Sequence, residues 1–134
     1  MATNETRYIS YTEAVLIHLE LMRLEGENRY GVFDRNLIES ALARPQQAAA
    51  YEKADVIRQT ATLCWGLIKY HPWIGGNKRT ATALVRIFLR RNHYRLTSTP
   101  DQNVEMVLAV EADQSDVDTI EDWLREHTLP LEPC

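Results

Sequence analysis

The chain has 134 residues, 45% of them hydrophobic and 25% charged, with a net charge of −4. That is ordinary for one soluble domain burying its own core, and the acidic balance argues against a dedicated nucleic-acid binder while leaving room for a local basic face. Two cysteines, Cys64 in an apolar helical stripe and Cys134 at the end of the chain, make neither a disulfide framework nor a metal spacing, and no signal-peptide or membrane-spanning run is present, so a cytoplasmic protein without a membrane partner is expected.

In chain order, Ser10-Tyr11-Thr12-Glu13 fits a capping box. The first helix follows, with Val15, Leu16, Leu19, Met22 and Leu24 as its apolar stripe and an end near Gly26. His18 falls beside that stripe and reads as a partly buried histidine without chemistry. Gly31-Val32-Phe33 reads as a short extended piece or loop. Asp34 then caps a second helix over Arg35–Ala43, which Arg44-Pro45 should end, because the residue before a proline avoids the helical region. Pro45–Ala54 reads as loop or irregular helix, where a partner could dock.

A third helix is expected from about Ala54 to Tyr70. Ile57, Ala61, Cys64, Ile68 and His71 recur at helical spacing, which would turn His71 inward. Pro72 stops the helix, and Trp73 is expected to anchor the following turn in the core. A fourth helix, from Asn77 to about Asn92, carries a wide apolar face in Ala81, Leu84, Val85, Ile87, Phe88 and Leu89, so it should be central, with neighbours on several sides. Arg86, Arg90, Arg91 and Arg95 read as a solvated face that suits the helix dipole. Thr99-Pro100-Asp101-Gln102 starts a fifth helix buried through Val104, Met106, Val107 and Val110. Ser115, with Asp118 at N3, is expected to cap a sixth helix buried through Val117, Ile120, Trp123 and Leu124. Residues 128–134 should fray. The fold class predicted is all-α: residues 1–134 as one compact bundle of about six helices around a central helix.

The chemistry concentrates in His71-Pro72-Trp73-Ile74-Gly75-Gly76-Asn77-Lys78-Arg79. A histidine moves protons near neutral pH, and a glycine-led helix start offers unpartnered amides to an anion. The GxxxxGK[ST] spacing of a P-loop is absent and no strand precedes it. His18, His71, His93 and His127 are too dispersed to suggest a metal site. A helix-turn-helix built on the third and fourth helices is disfavoured, because the fourth has little polar surface left for base edges.

This run resembles the signature of the Fic/Doc superfamily, specifically the death-on-curing (Doc) toxins: His, any, Phe, any, Asp or Glu, Gly or Ala, Asn, Gly or Lys, Arg. Asp34–Gln46 and Asn77–Leu96 resemble further Doc segments, so the likeness spans roughly residues 8–96. The resemblance implies His71 as catalytic base toward a Ser or Thr hydroxyl, with Gly76, Asn77, Lys78 and Arg79 holding nucleotide phosphates. Lys78, in place of the Gly of AMP-transferring Fic proteins, implies ATP as donor of its γ-phosphate. Thr82, where a longer Fic motif has a second Arg, points to the same branch. Implied partners are a Phd-like peptide segment of an antitoxin and a protein target such as elongation factor Tu, with no direct nucleic-acid partner. The family acid that helps hold Mg²⁺ is Gly75 here, so no metal ligand is assigned. Three readings follow: Mg²⁺ held by ATP, waters and another acid of the fold; a different donor or metal-poor mechanism; or a weakened relative that keeps binding functions. Gly75→Asp would be expected to strengthen Mg²⁺-dependent activity in a merely weakened site.

Overall fold

A computed structural model describes residues 5–131. Six helices follow in order: α1 (Tyr11–Leu24), α2 (Arg35–Glu52), α3 (Val56–Lys69), α4 (Asn77–Arg91), α5 (Pro100–Glu111) and α6 (Val117–Glu126). Two three-residue strands, β1 (Tyr94–Leu96) and β2 (Thr128–Pro130), complete the domain. The all-α architecture is as expected. Helix α4 does have several neighbours, namely α1, α3, α5 and β1. Yet α3 is the more enclosed of the two, with ten of 14 residues buried against six of 15 in α4. The site turn is therefore strung between the two most buried helices.

Local chemistry sets most helix starts. Ser10 and Thr99 form capping boxes with Glu13 and Gln102, while Asp34 and Asp55 accept from the first free amides of α2 and α3. The cap of α6 is Asp116, whose carboxylate accepts from Thr119 N, and not Ser115. Either residue type can cap, and the choice of the later one moves the start by a residue.

Several expectations are corrected by packing. Helix α2 runs through Pro45 to Glu52, so Pro45–Ala54 is mostly helix. Pro45 itself gives up a backbone donor. What holds the helix across it is tertiary: Pro45 and Ala48 are buried, and Arg44 reaches α3. The Arg44 guanidinium donates to Thr62 O at 3.0 Å and Tyr70 OH at 3.1 Å, and lies over the Trp65 ring. The inward face of α1 is Ala14, His18 and Met22, whereas Leu16, Leu19 and Leu24 are exposed. In α5, Asn103 is buried and Val104 is exposed, with Met106, Val107 and Val110 lying inward as expected.

Residues 128–130 do not fray. They pair antiparallel with β1, Tyr94 opposite Pro130 and Leu96 opposite Thr128, which satisfies backbone groups that would otherwise need water. The remaining three residues, 132–134, lie outside the described part, Cys134 among them. Cys64 is a buried core residue, and desolvation pushes its thiol up to about 12, so it is chemically quiet.

Candidate active site

Helix α3 ends at Lys69, and two residues later the backbone leaves the helical region: His71 adopts φ 45°. A non-glycine residue at positive φ is uncommon, and the following proline already disfavours the right-handed helix. The apolar spacing of α3 therefore cannot be extended to His71, which corrects the expectation that it points inward. Its side chain is 54% exposed and stands at the rim of a pocket.

The turn after it is fixed from both sides. Val32 and Trp73 form an isolated antiparallel bridge, with Ile74 N donating to Gly31 O at 2.9 Å. Phe33 N and Asp34 N both donate to Pro72 O. From the other side, the Asn77 carboxamide closes on Trp73, accepting from its N–H at 3.0 Å and donating to its carbonyl at 2.9 Å. Both functional ends of Asn77 are thus engaged in shaping the turn. Its side chain is therefore a template for the 73–77 turn.

Trp73 is buried as the expected anchor, and its partner is His18, stacked on it at 4.2 Å between ring centroids. His18 is fully buried and makes two hydrogen bonds, a larger role than its sequence suggested. Gly31 N–H donates to Nε2 at 3.0 Å, so the proton must sit on Nδ1, which then donates to Thr80 Oγ1 at 2.8 Å. A charged ring would present an N–H to another N–H. Burial pushes its pKa down to about 4, so this histidine is a neutral strut linking α1, the 31–34 segment and α4.

Gly75 and Gly76 have different reasons to be glycine. Gly76 precedes α4 at φ 68°, a left-handed conformation that glycine adopts without strain. At Gly75 a Cβ would lie 2.3 Å from the carbonyl oxygen of Arg29. Backbone occupies the place of the first side-chain atom, so the family's metal-binding acid does not fit at this position. An aspartate at this position would have to displace that carbonyl before it could reach a metal.

Alone among the six helices, α4 has no side-chain cap. Its first amides, those of Asn77, Lys78 and Arg79, have no acceptor among the described residues. Such groups, with the helix dipole behind them, favour an anion. They open on a pocket of about 340 Å³ lined by His71, Gly76, Asn77, Lys78, Arg79 and Glu111. All five site residues expected from sequence come together here.

Three acids that sequence reasoning did not assign to the site also reach it. Arg79 is held by Glu25 at 3.0 Å and Glu27 at 2.8 Å, and these carboxylates, Glu27 foremost, raise the guanidinium above its usual pKa. Glu111, the last residue of α5, places one carboxylate oxygen 3.3 Å from His71 Nε2 and the other 3.3 Å from Lys78 Nζ. Two cations therefore face three carboxylates. A second groove of about 400 Å³ shares Lys78 and Arg79 with the pocket and has an apolar floor of Leu21, Ala83, Val104 and Val107 between α1, α4 and α5.

Residues 8–89 match the family described as Fic/DOC. The chain belongs to the Fic/DOC family. It is also similar to "Protein kinase doc" of Escherichia phage P1, with 28% identity over 121 residues covering 89% of this chain and 94% of the relative. The site geometry gives the family motif its physical content here: a half-exposed histidine on a left-handed residue, a templated turn and an open helix start. Among the described residues no helix is long and apolar enough to cross a membrane.

Proposed function

We propose that this Doc-like chain is a phosphotransferase toxin that moves the γ-phosphate of ATP to a Ser or Thr hydroxyl of a protein. The observation that carries the reading is the convergence of His71, Lys78 and Arg79 on the open amides of α4. The triphosphate lies along the helix start, with Lys78 and Arg79 offsetting its charge. The target oxygen attacks the γ-phosphorus and its proton passes to His71. The bond from the γ-phosphorus to the β–γ bridging oxygen breaks, and ADP leaves with that electron pair. Because an acid does not fit at position 75, no step is routed through a metal there.

Elongation factor Tu, the target that the Doc resemblance implies, is the first substrate to test, and it would place the reaction in the bacterial cytoplasm. A Phd-like antitoxin peptide suits the apolar groove, since an amphipathic segment laid along Leu21, Ala83 and Val107 would end against Lys78 and Arg79. Inhibition would follow from occupying the cations that the nucleotide needs.

One observation favours a second reading, a nucleotide- or partner-binding relative without turnover: each cation of the site already has a carboxylate partner. The two are separated by supplying ATP labelled at the α or the γ phosphate with purified protein and bacterial lysate, with and without Mg²⁺. Label transferred from the γ position alone supports the phosphotransferase. Transfer from the α position replaces it with AMP transfer, and no transfer under any condition leaves the binding reading.

A further inference from the structure

We infer that Glu111, and not position 75, supplies the carboxylate that holds a divalent cation entering this pocket with a nucleoside triphosphate, an inference resting on the nucleotide reading above. At position 75 the Arg29 carbonyl excludes even a Cβ. Glu111 comes from the far end of α5, reaches the same pocket and is only 21% exposed.

Glu111 is the acid in the pocket lining, and the two acids that reach the site through Arg79 are committed. Glu25 and Glu27 hold Arg79 at 3.0 and 2.8 Å, at or close to the length of charge-assisted bonds. Both contacts of Glu111 are 3.3 Å, longer than such bonds, so its oxygens are the least tightly held of the three. Among the described residues no three His, Cys, Asp or Glu side chains are grouped to cage a metal. Mg²⁺ does not need a cage: in nucleotide sites it keeps several waters and takes one or two carboxylates together with the phosphates. One acid beside the phosphate pocket meets that requirement.

The charges give the exchange its direction. Lys78 is the counter-ion of Glu111. Lys78 is half-exposed on a flexible stem, so a triphosphate at the helix start draws its ammonium away. That leaves a partly buried carboxylate facing phosphate oxygens. Two anions in that relation repel unless a cation lies between them, and the divalent ion carried by the nucleotide meets both needs.

The test is calorimetric titration of the full chain with adenylyl imidodiphosphate, in Mn²⁺ and in EDTA, with the electron paramagnetic resonance signal of free Mn²⁺ as a second readout. Wild type should bind the analogue about tenfold or more tightly with Mn²⁺, and Glu111→Gln should erase most of that gain while leaving affinity in EDTA no weaker. Glu111→Asp, which keeps the charge on a shorter stem, should retain part of it and give a free Mn²⁺ signal between those of wild type and Glu111→Gln. An undiminished Mn²⁺ gain in Glu111→Gln overturns the inference. So does tighter binding by Glu111→Gln to the same extent in Mn²⁺ and EDTA, since that would make Glu111 a competing anion. Failure of wild type to bind the analogue in either condition would sink the nucleotide reading itself, and this inference with it.

Discussion

Helices α4 and α5 begin in opposite ways, and the contrast separates structure from function in this fold. Helix α5 opens with Thr99, whose hydroxyl accepts from Gln102 N while the Gln102 side chain accepts from Thr99 N. Pro100 has no N–H to satisfy, and the amides of Gln102 and Asn103 both find acceptors on Thr99, so this end leaves far less for a ligand. Helix α4 opens with Gly76, which has no side chain to offer, and its amides face a pocket. The same unsatisfied groups that a cap would remove are available there to phosphate oxygens. The far end of α5 then returns to α4 with Glu111, so the closed helix serves the open one.

The largest effect expected from breaking this contrast is chemical. His71→Ala should lower γ-phosphate transfer by about 10²–10⁴-fold, the usual contribution of a positioned base. Its urea unfolding free energy should stay within about 0.5 kcal/mol of wild type, because the side chain is half-exposed. A large loss of stability would instead make His71 a structural residue.

The support beneath the open helix should show its own pH dependence. His18 is held near 4 in the folded state and rises to its ordinary value near 6.5 when the chain unfolds. Between those values the unfolded chain binds more protons, so stability present above pH 6.5 falls as pH drops toward 4, by about 3 kcal/mol from this group. Urea titrations at pH 7 and pH 4.5 measure the loss. A His18→Gln variant, less stable at neutral pH, should show a flatter pH profile; an unchanged slope would assign the acid sensitivity elsewhere.

Gly75→Asp comes next. The new Cβ must displace the Arg29 carbonyl, and the cost should be about 1–3 kcal/mol, as for overpacking in general, measured by thermal or urea unfolding. A variant as stable as wild type would show that the 29–31 backbone yields easily and would reopen position 75 to an acid. The smallest effect belongs to the closed helix. Thr99→Ala should cost about 1 kcal/mol of stability, the usual worth of an N-cap, and leave nucleotide affinity unchanged in the same calorimetric titration.

What could be read from sequence follows the range of the interactions involved. Ser10, Asp34 and Thr99 act on amides two or three residues away, so their caps were legible. Arg44 holds α2 across Pro45 by reaching Thr62 and Tyr70, contacts that local rules cannot see. The motif set His71, Gly76, Asn77, Lys78 and Arg79 was found because it is contiguous, yet the orientation of His71 was missed. Its positive φ ends the helical phase on which that expectation depended. Glu111 lies 40 residues beyond His71 on a different helix, and only the packing of α5 brings it to the pocket. Arg29 acts through its carbonyl, which every residue has, so the trace in sequence is the glycine it requires at position 75.

The most direct test of the open-helix account is a ¹H–¹⁵N correlation titration with adenylyl imidodiphosphate in the presence of Mg²⁺. The largest amide shifts should fall on Asn77, Lys78 and Arg79, with Asp101, Gln102 and Asn103 at the capped start of α5 unmoved. Equal shifts at both helix starts, or shifts confined to other parts of the chain, would contradict it.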